Sequence, residues 1–108
     1  MAVMAMQFLG AIHGNGVLTG SNDGQDYGPA EYDIDGFRTQ TGEVMASGEI
    51  RLPPDRLAQA FGRTDLCLQT EQGEVLTLRF SAKNVRVGTD AAHVDVTGGL
   101  PPAKNWRR

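Results

Sequence analysis

The residues most suggestive of chemistry are five carboxylates close together: Asp23, Asp26, Glu31, Asp33 and Asp35. A calcium loop needs oxygen ligands at alternate positions, a turn glycine and a distal bidentate Glu at the twelfth position. Asp33-Ile34-Asp35-Gly36 begins in that way, but the twelfth residue counted from Asp33 is Val44. The cluster therefore reads as a solvated strand face balanced by arginines such as Arg38, Arg51 or Arg79. His13 and His93 are the two histidines. With Asp35 or Asp95 they would make a metal site only if the fold brought them to one rim, and their spacing carries no ligand signature. No metal and no cofactor are expected.

Nucleophilic catalysis needs a Ser or Cys beside a positioned base. Ser21, Ser47, Ser81 and Cys67 have no such motif around them, and Cys67 between Leu66 and Leu68 reads as a packed strand residue. The glycine-rich run His13–Gly20 lacks the Lys-Ser/Thr of a phosphate-binding loop and the spacing of a dinucleotide fold. With no acid, base and nucleophile set in view, the chain is read as a non-enzyme.

Arg51, Arg56 and Arg79 are the candidate ligand-binding residues, able to hold a small anion or nucleotide if they converge. Arg51 and Arg56 have four residues between them, one too many for the RxxxR pair of barrel domains that bind cyclic dinucleotides, and no [DN]xSxxG follows. A second candidate is the terminal Trp106-Arg107-Arg108, an aromatic flanked by bases that could dock on a protein partner.

These groups sit in a chain of 108 residues, long enough for one domain. Glycine occurs 14 times, which favours many turns and short strands. The net charge is −3, and residues 1–50 hold one base against seven acids while 51–108 hold nine bases against six acids. No dense basic stripe accompanies the seven aromatics, so nucleic acid is not an expected partner. The apolar start, Met1 to Ile12, has no basic residue and is too short to span a bilayer, so a cytoplasmic, membrane-free protein is expected. The single Cys67 excludes an internal disulfide.

The pattern along the chain is strand-like. Residues 5–12 read as a strand, Asn15-Gly16 as a hairpin turn, Val17–Thr19 as a short return strand and Gly20–Pro29 as a loop. Alternation marks strands over 30–38 and 43–52, with bulges expected near Gly10, Gly36 and Ser47-Gly48. Pro53-Pro54 stops the second of these. A short helix over 55–61 follows, with Asp55 as N-cap, Leu57 and Phe61 as anchors and Gly62 just past its end. Residues 65–71 and 74–82 form a hairpin, Val85–Val87 a short extended piece, and 92–97 the last strand.

The expected fold is all-β: a small antiparallel barrel of five to seven strands with one short capping helix. Residues 1–97 make the barrel and 98–108 a flexible tail. The expected function is a non-catalytic binding or interaction module, with a protein partner or a second copy as occupant. The alternative is an anion or nucleotide sensor using Arg51, Arg56 and Arg79. A pocket lined by several arginines would favour the sensor, a clustered His–Asp–His geometry a metal enzyme, and a filled barrel with an exposed apolar edge the interaction module.

Overall fold

Strict alternation of apolar and polar residues buries one face of each strand and leaves the other wet. Six segments obey it. In the computed structural model, which describes residues 7–81, 88–100 and 106, they are β1 (Gln7–Gly20), β2 (Gln25–Arg38), β3 (Val44–Arg51), β4 (Leu66–Thr70), β5 (Val75–Phe80) and β6 (Ala91–Gly98). One helix, α1 (Pro54–Ala60), joins β3 to β4. All strand pairs are antiparallel, and they close into a six-stranded barrel in the order β1-β2-β3-β6-β5-β4.

The interior is packed with side chains. Leu18, Ile34, Ile50, Leu66, Leu68, Leu76, Leu78 and Val94 have no exposed surface. The hairpin of β4 and β5 follows its sequence pattern: Leu66 faces Leu78 and Leu68 faces Leu76 across the ladder. Val94 and Val96 of β6 point inward, His93 and Asp95 outward or part-exposed.

β1 departs from expectation. No hairpin forms at Asn15-Gly16; both residues stay extended, paired with Glu31 and Ala30. The turn lies instead at Ser21–Gly24, where the Gly24 amide donates to the Gly20 carbonyl at 2.9 Å. Consequently Gln25–Pro29, expected as loop, belongs to β2. An Asn-Gly turn would have paired a longer strand with the three residues Val17–Thr19. Running straight through lets two 14-residue strands pair along their whole length, with far more ladder hydrogen bonds. Pro29 is tolerated because it lies where only β1 pairs with β2, and β3 begins its pairing at Glu31.

One expected bulge is present, between Phe8 and Gly10. Gly36 lies opposite that bulge and is in regular register with β3, and Ser47-Gly48 is regular on both sides. Their glycines serve close approach: a Cβ on Gly48 would lie 2.7 Å from the Ile34 α-carbon.

The helix starts one residue earlier than expected. Pro53 is its N-cap and Pro54 its first residue, the position where a missing N–H costs nothing. Asp55 therefore lies in the first turn, and no side-chain cap bond forms. Leu57 and Ala60 are fully buried, Phe61 meets Phe80 with ring centroids 4.9 Å apart, and Gly62 follows with φ +88°. The helix lies at the barrel end where β3 and β5 finish, packed on β2 and β6.

Two residues beyond β6 pack at the opposite end. Leu100 packs on the core, and Trp106 is 7% exposed against Gly36. The extended piece expected at Val85–Val87 lies outside the described residues.

Candidate interaction face

The outward residues of β1, β2, β3 and β6 fall into rows fixed by the register. The first row is Phe8, Phe37 and Met45. The next is Ala11, Asp35, Ser47 and Asp95, continuing to Arg79 on β5. Then come His13, Asp33, Glu49 and His93, and finally Asn15, Glu31, Arg51 and Ala91. Across the outside of β1–β3 an apolar row thus borders an acidic one.

The apolar band is exposed. Phe8 is 44% and Met45 50% accessible, and Phe37 is half-buried. Phe8 and Phe37 meet edge to face with centroids 5.6 Å apart, a favourable aromatic geometry. Phe37 points outward because its neighbour Gly36 faces the interior, and Phe8 pairs with it across the ladder.

In the acidic band two carboxylates are engaged. Arg51 Nε donates to Glu49 Oε1 at 2.9 Å, and Arg79 lies 3.7 Å from Asp95. The Glu49 carboxylate holds the Arg51 guanidinium above its ordinary pKa, chiefly through that hydrogen bond. Among the described residues, Glu31, Asp33 and Asp35 take part in no ion pair. A shallow groove of about 330 Å³ opens beside them, lined by His13, Glu31, Asp33, Glu49 and Arg51 among others. The sum of its fixed charges is negative.

The three candidate arginines are not brought together. Arg51 lines this groove, with Glu49 on its guanidinium. Arg79 stands two strands away, on β5, and Arg56 of α1 donates to the Tyr27 carbonyl at 3.1 Å. Trp106, considered for docking, is turned onto the barrel, and Arg107 and Arg108 lie outside the described residues.

His13 and His93 do share a row, but Asp33 and Glu49 stand between them. In a closed six-stranded barrel β1 and β6 are three strands apart in either direction, so the two histidines stand on opposite sides and their outward side chains cannot share one ion. No group of three or more His, Cys, Asp or Glu suited to a metal occurs among the described residues.

One pairing was invisible in the sequence: His93 Nδ1 and Ser81 Oγ are 2.9 Å apart. Only the β5–β6 pairing brings them side by side. Both are exposed, and the carboxylate next to His93 in the row, Glu49, is engaged by Arg51.

A second unforeseen cluster is centred on Arg63. Its guanidinium donates to Asp65 at 2.6 and 2.8 Å, to Asp23 at 2.9 and 3.1 Å, and to the Tyr27 hydroxyl at 2.9 Å. The Asn22 amide adds a bond to Asp65 at 2.8 Å. These contacts hold the Asp65 carboxyl well below the usual range, first through Arg63, and lower Asp23 for the same reason. The cluster ties the β1–β2 turn to the start of β4 and is a structural lock.

The fold and its surface define a closed six-stranded antiparallel barrel with a filled core and a banded outer face. Compared with protein-family models, curated proteins and solved structures, the chain gives no match. Among the described residues no helix is long and apolar enough to cross a membrane.

Proposed function

We propose that this protein is a non-catalytic, cytoplasmic interaction module that docks a protein partner on the outer face of β1–β3. The observation that carries the reading is the exposed row Phe8–Phe37–Met45 on the outside of a barrel whose inside is filled. Apolar groups presented in register on a rigid sheet mark an interaction surface, whereas scattered single ones do not. Among the described residues the barrel interior is lined by buried Leu, Ile and Val side chains, and Arg51, Arg56 and Arg79 do not converge. The edge of β1 adds support. Among the described residues Gln7–Gly14 pairs only with β2, and apart from the bulge between Phe8 and Gly10 this stretch holds no Pro or Lys to guard an open edge.

The test is site-specific photo-crosslinking in the cells that make the protein, with the photoreactive residue at Phe8, at Met45 or at the exposed Gln69 on β4. A shared protein adduct from Phe8 and Met45, and none from Gln69, is the expected result. Equal adducts from all three positions, or none from any, overturn the proposal.

A further inference from the structure

Resting on that reading, we infer that the partner presents an extended basic segment ending in an apolar side chain, which seats on the Phe8–Phe37–Met45 row with its bases over β2. Charge and spacing carry the argument. Along β2 the outward residues are Glu31, Asp33, Asp35 and then Phe37. Alternate residues of a strand stand ~6.7 Å apart, and an extended peptide has the same repeat. Lys or Arg at alternate positions therefore meets successive carboxylates, and the next outward side chain lands beside Phe37 and Met45.

Among the described residues none of the three carboxylates is in an ion pair; Glu31 stands across from Arg51, which Glu49 already holds, and Asp33 and Asp35 stand across from Glu49 and Ser47. The groove lined by Glu31, Asp33, Glu49 and Arg51, the last held by Glu49, keeps a negative sum of charges and has room for the head of one such base. The wider field agrees. The whole chain carries 13 acids against ten bases, a net charge of −3. An acidic partner would be repelled and a purely apolar one would leave the carboxylates unused. A second copy of this chain would bring acidic face to acidic face.

The test uses purified protein and three synthetic heptapeptides, KTKTKTF, KTKTKTG and ETETETF, followed by amide chemical shifts. KTKTKTF is expected to bind, with shifts concentrated in β1–β3, and raising salt from about 0.05 to 0.3 M should weaken it several-fold. KTKTKTG should bind at least about threefold more weakly and ETETETF not measurably. The pair Asp33→Asn with Asp35→Asn, and separately Met45→Ser, should each weaken KTKTKTF several-fold while leaving the remaining spectrum dispersed, which reports an intact fold.

Binding of ETETETF as strong as that of KTKTKTF, shifts outside β1–β3, or no effect of either variant overturns the inference. So does concentration-dependent self-association that Met45→Ser abolishes, since the occupant is then a second copy. If neither basic peptide binds although Phe8 and Met45 crosslink a partner, the basic class is wrong and the interaction face stands. If crosslinking also fails, the interaction module itself is wrong.

Discussion

The indole of Trp106 lies against the backbone of Gly36: a Cβ at Gly36 would come within 2.7 Å of three ring atoms. In the ladder, Gly36 stands between Gly10 and Ala46, so a row of small inward residues leaves space at this barrel end. Gly36→Ala should push the ring aside and cost about 1–3 kcal/mol, the range for overpacking. Trp106 is the chain's single tryptophan, so its emission should shift to the red in the folded variant. An unshifted spectrum with unchanged stability would show that the ring does not depend on this socket.

Leu78 sits at the centre of the barrel, fully buried and facing Leu66 and Val96. Leu78→Ala should lower unfolding stability by about 2–5 kcal/mol, as large-to-small core changes do. Urea titration measures this directly, with the wild-type m-value retained if only the folded packing has changed.

Asp55 gives a contrasting expectation. Because Pro53 takes the N-cap and no side-chain cap bond forms, Asp55→Ala loses only a charge near the helix start. The cost should stay below about 1 kcal/mol, whereas Leu57→Ala on the same helix, at a fully buried position, should cost about 2–5 kcal/mol. Equal losses in the two variants would count against this placement of the helix.

The Arg63 lock predicts a pH dependence with a definite sign. Asp65 and Asp23 have folded pKa values below their unfolded ones, so the unfolded chain binds more protons. Their contribution is fully present above the unfolded value of about 4 and is lost as pH falls through the lower folded values. Arg63→Gln should therefore destabilise the barrel at pH 7, and its deficit relative to wild type should shrink as pH drops below about 4. Thermal unfolding of both proteins at pH 7, 4 and 3 measures the gap; a constant gap would contradict the coupling.

Duplex nucleic acid is expected to bind weakly or not at all at about 0.15 M salt. Phosphate neutralisation requires clustered bases, and the banded face offers Glu31, Asp33 and Asp35 instead. Fluorescence titration with labelled duplex DNA and RNA checks this, and sub-micromolar, salt-sensitive binding would reverse it.

Residue pattern alone specified most of the strands. The leucines of β4 and β5 alternate around a short turn at Gln72-Gly73, and Tyr32 and Ile34 alternate with Glu31, Asp33 and Asp35 on β2, so each strand's inner face was legible. Pro53-Pro54 and Gly62 bracket the helix through backbone constraints that act locally. Local chemistry misled at Asn15-Gly16, where a strong turn dipeptide yields to a ladder running the length of two strands. The site was not legible. Phe8, Phe37 and Met45 each look like ordinary alternating residues, far apart in the chain, and no residue pattern says that register places them side by side. Nor does it say that a small-residue row receives Trp106. Alternation decides which face a side chain takes; strand order, register and barrel closure decide its neighbours, and those are set by the packing of the whole chain.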